Sequence, residues 1–165
     1  MRIACIGSRQ ISEEQRVLFV NIGKFIVSGG DFISSGNAEG SDQMFASGGN
    51  SIKPENVIIY LPWKTYETYH LNLNNKICYE PKKEWFELTA PFHGGWNNLS
   101  QGAKRLMARN YGIIHRADKV IALLNHKKQG GGGTGQGWRI AESLNIPRLD
   151  LNNKSFDEVV EFLES

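Results

Sequence analysis

The chain has 165 residues, a length that suits one domain and lets about two-thirds of the extended surface be buried. Hydrophobic residues make up 40% and charged residues 22%, ordinary for a globular protein, and 19 basic against 17 acidic side chains leave a net charge of +2. So small an excess does not announce nucleic acid, although a local basic face stays open, and no apolar run approaches the roughly 20 residues that cross a bilayer.

Cys5 and Cys78 are too few for a disulfide framework and read as reduced thiols. The N-terminus opens directly on strand-like Arg2-Ile3-Ala4-Cys5-Ile6, which leaves no room for a secretory signal. The expected compartment is the cytoplasm.

Residues 2–6 form a short apolar run ended by Gly7, the pattern of a buried strand. Ser12 opens a helix, with Gln15 at capping-box spacing and Val17, Leu18, Ile22, Phe25 and Ile26 at helical intervals. Gly29-Gly30 stops it. Phe32–Ser35 is a second strand, and Gly40-Ser41-Asp42 starts a short helix that Gly48-Gly49 is expected to end. Val57–Leu61 is a third strand, stopped by Pro62. Residues 62–98 break the rhythm with Pro62, Pro81, Pro91, an asparagine-rich stretch and many aromatics. Such a long irregular segment is expected to be an insertion that covers a pocket or builds an oligomer contact.

Regularity returns at Leu99, where Ala103, Leu106, Met107, Tyr111 and Ile114 make a helical stripe that ends near His115. Val120–Leu124 is a fourth strand, Trp138–Leu144 a helix, Pro147–Leu151 a fifth strand, and Ser155 caps a last helix through Phe156, Val159, Val160 and Leu163. Strands alternating with helices predict an α/β, Rossmann-like three-layer sandwich. Its sheet is expected to be mainly parallel, of order 3-2-1-4-5, with the 62–98 insertion inside a single 1–165 domain.

Three glycine-rich turns follow three of these strands: Gly7-Ser8-Arg9, Ser35–Asp42 and Gly130–Gly137. Parallel sheets bring strand carboxyl ends together, so the turns are predicted to share one crevice. Glycine lets backbone N–H groups approach a ligand, and a helix N-terminus behind a turn favours an anion. The expected guest is a phosphate-bearing small molecule.

At these residues the chain resembles the SLOG superfamily, which includes the DNA-processing protein DprA, the LOG phosphoribohydrolases and nucleotide-sensing domains of bacterial immune systems. The family pattern is Gly-Ser-Arg after a strand, Ser-Gly-Gly-Ala-x-Gly-Ala-Asp, an Arg-Asn pair in a helix, and Gly-Gly-Thr. The chain offers Gly7-Ser8-Arg9, then Ser35-Gly36-Asn37-Ala38-Glu39-Gly40-Ser41-Asp42, Arg109-Asn110 and Gly132-Gly133-Thr134 in the same order. The resemblance spans residues 2–151 apart from the insertion, and extends to small stand-alone proteins of phage type. It implies nucleotide binding through these residues together with Gly135 and Gln136, a homo-dimer or larger assembly, and no required cofactor.

Departures from the pattern bear on chemistry. Asn37 stands for a glycine, a replacement that left-handed backbone tolerates. LOG enzymes carry Pro-Gly-Gly-x-Gly-Thr-x-x-Glu, and the alignment puts Gln136 at the threonine and Arg139 at the catalytic glutamate. A guanidinium does not act as an acid or base near neutral pH. LOG-type hydrolysis is therefore not expected, while Arg139 suits phosphate binding.

Each candidate has an ordinary reading beside the functional one. Arg9 either grips a phosphate with its fork or pairs with a surface carboxylate. Ser8 and Ser41 either cap helices or also touch a ligand. Asp42 caps its helix or holds a ribose hydroxyl, and Glu39 is either a solvated charge or a sugar, base or catalytic contact. Glu39, Asp42 and Glu142 are the carboxylates near enough to serve a hydrolase. His70, His93, His115 and His126 lack metal-ligand spacing, so no metal is expected. Trp63, Tyr66, Trp85 and Trp96 suit packing of the insertion better than stacking on a base.

Three functions remain. The leading one is binding of an ADP-ribose-like or cyclic nucleotide, with sequestration of an immune signal as its purpose. The second is a nucleoside-phosphate hydrolase or transferase. The third is DprA-like single-stranded DNA binding, which the small net charge counts against.

Overall fold

The computed structural model describes residues 1–165, the side chain of Gln129 excepted. Arg2–Gly7 forms β1, Phe32–Ser35 β2, Val57–Tyr60 β3, Lys76–Cys78 β4, Lys119–Leu123 β5 and Arg148–Asp150 β6. The helices are α1 (Glu13–Ser28), α2 (Ser41–Asn50), α3 (Lys83–Thr89), α4 (Gln101–Ile114), α5 (Gly132–Ser143) and α6 (Phe156–Glu164). All six strands run parallel in the order β4-β3-β2-β1-β5-β6. The five strands read from sequence keep their expected order, and β4 from the insertion adds an edge.

Alternation along β1 explains the layers. Ile3 and Cys5 face one core with Phe19 and Ile22 of α1 and Phe45 of α2. Ala4 and Ile6 face another with Ala108 and Ile113 of α4 and Ile140 of α5. Both sheet faces are therefore covered, as a parallel sheet requires. Val159 and Leu163 bring α6 onto the first face.

Two helix boundaries differ from expectation for one physical reason. Gly48-Gly49 does not end α2, which runs on to Asn50. A Cβ on Gly48 would stand 2.0 Å from the Val20 carbonyl oxygen, so glycine there lets α1 and α2 pack backbone to backbone. Likewise α5 begins at Gly132 rather than Trp138, and a Cβ on Gly135 would sit 1.9 Å from Gly130 O. Glycine costs about 1 kcal/mol in a helix, so its runs read as loops until tertiary contact is considered.

The insertion is not an irregular loop. It supplies β4 and the short helix α3, whose Trp85 is buried between Tyr60 and the face of α4. One polar device also escaped the sequence. Lys119 of β5 is buried, and its Nζ donates to Phe162 O at 2.7 Å and Leu163 O at 3.0 Å. A cation there satisfies carbonyls at the C-terminal end of α6 and opposes its dipole.

Candidate functional site

The carboxyl ends of β1, β2 and β5 meet because β1 is central, with Gly7 in register with Leu123 and Ala4 with Ser34. Over them lies a cleft of about 440 Å³. Of the residues expected from sequence, Gly7, Ser8, Arg9, Asp42, Arg109, Asn110, Gly132, Gly133 and Thr134 line it. Ala38 of the second motif lines it as well, as do Gln10, Leu106, Met107, Asn125 and Lys128, to which the motif pattern did not point. Arg9, Arg109 and Lys128 face it against one carboxylate, Asp42. The balance favours an anion.

The turn after β2 forms the wall behind that lining. Ser35, Gly36, Asn37, Gly40 and Ser41 are buried. Ser35 Oγ donates to Cys5 O at 2.7 Å and Ser41 Oγ to Ser8 O at 2.7 Å, so Ser41 ties the first two turns together instead of capping α2. Asn37 holds φ 58°, and its Nδ2 donates to Glu67 O at 3.0 Å. Asp42 Oδ2 accepts from Gly36 N at 3.2 Å and Ala38 N at 3.4 Å.

Burial pushes the Asp42 carboxyl up to about 6, despite the nearby Arg109 charge and the N–H donors of Ala38, Gly36 and Gly7 that pull the other way. Arg109, 6% exposed, donates from Nη1 to Gly36 O at 2.6 Å and from Nε to Asn110 Oδ1 at 3.1 Å, and lies against the Tyr66 ring. Burial lowers its pKa, and Asp42 and Tyr66 raise it. Its fork is thus largely engaged in positioning the turn. Arg9, exposed at the rim with one bond to Tyr66 Oη at 3.4 Å, is freer to move toward a guest.

The three helix starts behind the turns differ in what they offer. At α1, Ser12 and Gln15 close a capping box. At α2, Ser41 N donates to Ser8 O and Gln43 N to Ala38 O, which spends that end on backbone carbonyls. At α5 the N-cap is Gly131 with no side-chain cap, and Gly132, Gly133 and Thr134 face the cleft. The expectation of an anion site behind every turn narrows to α5, whose first-turn N–H groups have no partner among the described residues.

Asn110 links this end to the rest, donating from Nδ2 to Gly133 O at 3.2 Å and Gln136 Oε1 at 3.0 Å. Gln136 is fully buried behind it, and its Nε2 has no partner among the described residues. Gly135 packs behind the wall as well.

Two carboxylates proposed for catalysis lie elsewhere. Glu39 is exposed and absent from the lining, because the turn directs its buried positions inward on either side of it. Glu142 sits more than two helical turns beyond the α5 N-terminus and pairs with Arg148 at 3.0 Å. Arg139 faces away from the main cleft too, donating to Gly130 O at 2.7 Å and Phe92 O at 2.9 Å. Trp85 is core, and Trp63 packs edge-on against Tyr66. No group of three or more His, Cys, Asp or Glu is arranged to hold a metal ion among the described residues, and no helix is long and apolar enough to cross a membrane.

No protein-family model and no curated protein matches the sequence. Solved structures do match. DNA processing protein A from Helicobacter pylori, described for its single-stranded DNA binding mode, superposes with a TM-score of 0.61 at 21% identity, over 99% of this chain and 72% of its own. The structural-genomics protein TM1055 gives 0.61 at 14% identity over 97% and 80%. DprA from Streptococcus pneumoniae gives 0.50 at 13% identity over 97% and 60%. The chain therefore shares the Rossmann-like α/β fold of these proteins.

Proposed function

We propose that the protein binds a nucleotide-derived small molecule carrying ribose and phosphate, with its phosphate on the N-terminus of α5. One observation carries the reading: three turns from separate strands converge on one cationic cleft whose helix N-terminus has no internal cap. A volume of about 440 Å³ falls within the roughly 300–1,000 Å³ of small-molecule sites. Asn110, Thr134 and Asn125 add polar groups able to read a sugar or base edge. Sequestering a nucleotide signal is the purpose such a binder would serve, and an ADP-ribose-like or cyclic nucleotide is its ligand class.

The hydrolase reading rests on Asp42 alone, a carboxyl able to carry a proton near neutral pH but committed to two backbone N–H groups. Binding without turnover is favoured. The single-strand reading draws on the likeness to the Helicobacter pylori protein and on Arg9 and Lys128 at the cleft.

A thermal-shift series with inorganic phosphate, ribose 5-phosphate, adenosine monophosphate and ADP-ribose tests the proposal. A ligand at 100 times its dissociation constant adds about 2.7 kcal/mol, so at least one nucleotide is expected to shift the melting temperature more than phosphate does. No shift with any of them would overturn it. Free base appearing in the same samples would favour the hydrolase, as would its loss in Asp42→Asn.

A further inference from the structure

A second cavity of about 260 Å³ lies on the far side of the glycine strap Gly130–Gly132. It shares Asn125, Lys128 and Gly131 with the main cleft, so the two are neighbours divided by a three-residue ribbon of backbone. All three strap glycines have positive φ (70°, 72° and 63°), and a Cβ on Gly131 would meet nothing within 4 Å. The strap is anchored to α5 at Gly130, whose carbonyl packs against Gly135 and accepts from Arg139, and stands open at Gly131.

The side chains around this second cavity are of two kinds. His126, Lys128 and Arg139 are basic, and no carboxylate lines it. Trp138 supplies an indole held in place from behind. The Arg148 guanidinium lies 4.5 Å from its ring centroid, donates to Trp138 O at 2.8 Å, and is itself paired with Glu142. His126 is oriented by Asp150 at 2.7 Å. Arg139 uses two of its N–H groups on Gly130 O and Phe92 O, which fixes it beside the strap. A fixed aromatic wall among cations is the combination that takes a nucleobase together with its phosphodiester.

We infer that this cavity is a second nucleotide subsite, so that the ligand consists of two phosphodiester-linked nucleotide units, one on each side of the strap. The inference rests on nucleotide binding in the main cleft and adds the length of the ligand to it. Trp138 is the base-contacting residue of the second unit, His126 and Lys128 attend its phosphate, and Arg148 positions Trp138. Either a free dinucleotide or the end of a single strand presents this chemistry.

Titration calorimetry with the full chain separates the cases. The probes are adenosine 5′-monophosphate, the 5′-phosphorylated adenosine dinucleotide, the same dinucleotide with an abasic second unit, and a ten-nucleotide single strand. The dinucleotide is expected to bind at least about tenfold tighter than the mononucleotide, and the abasic form to lose that gain. Trp138→Leu and the solvent-facing His126→Ala each remove the gain and leave mononucleotide affinity unchanged. If a strand is the source, the ten-nucleotide probe binds tighter again with steep salt dependence; if a free dinucleotide is, it gains nothing further. Equal affinity for mononucleotide and dinucleotide, or equal losses for both in the two variants, overturns the second subsite while main-cleft binding stands. Failure of every probe to bind overturns both.

Discussion

The two glycine-rich turns that face each other across the cleft are built in opposite ways. Between β2 and α2, the peptide groups of Gly36, Asn37 and Ala38 are held by the buried side chains of Asp42, Gln43 and Arg109. Between β5 and α5, the strap Gly130–Gly132 is at most half-buried and leans on a few bonds such as Arg139 to Gly130 O. The first turn is a rigid wall whose polar groups are spent on the fold. The second keeps its backbone donors in reserve. A site that must welcome an anion needs both, one to fix the shape and one to supply unsatisfied N–H groups.

Removing the strut of the rigid turn has the largest expected effect. Arg109→Met deletes the bond to Gly36 O and leaves Asp42 without its compensating charge, at a cost on the order of 4 kcal/mol. Urea denaturation measures it, and nucleotide binding is expected to vanish in the folded fraction. A wild-type midpoint in the variant would show that the wall does not depend on Arg109.

Acidity acts on the same turn. The Asp42 carboxyl goes from 3.8 when unfolded to about 6 when folded, so the folded state holds the extra proton between those values. Its contribution to stability is present below about pH 4 and lost as pH rises through about 6, an amount of about 3 kcal/mol. Asp42→Asn, which keeps an acceptor for Gly36 N and Ala38 N, should flatten this part of the stability profile between pH 4 and 8. An unchanged slope would assign the pH dependence to other groups.

The strap should respond more mildly. Gly131→Ala introduces a Cβ into open space but at φ 72°, so about 1 kcal/mol of stability is expected to be lost. Affinity for nucleotide should fall by more than that figure implies, since the peptide planes at the α5 N-terminus would turn. Smallest of all is His126→Ala, which removes a largely exposed pair with Asp150 and is expected to change stability by less than about 1 kcal/mol.

Local pattern made much of this legible. The apolar runs ending in Gly7, Ser35 and Leu123 lie where the sheet turns over to the cleft, and Ser12-Gln15 and Ser155-Glu158 form capping boxes. What stayed hidden depends on distant partners. Gly48 looks like a helix stop until Val20 O is seen beside it, and Lys76-Ile77-Cys78 is too short to read as a strand without β3 alongside. The cap that Lys119 places on α6 spans more than forty residues of sequence, and the Arg148 guanidinium that covers Trp138 comes from across the α5–β6 connection. Glu142 was a catalytic candidate by proximity in sequence, whereas helix periodicity carries it to the far end of α5.

The account turns on the open N-terminus of α5, and a crystal structure of the protein grown with a nucleoside 5′-monophosphate tests it most directly. The phosphate is predicted to lie within hydrogen-bonding distance of the backbone N–H groups of Gly132, Gly133 and Thr134, with Arg9 or Lys128 reaching toward it. A nucleotide seated outside this cleft, or a cleft left empty at saturating ligand, would contradict it.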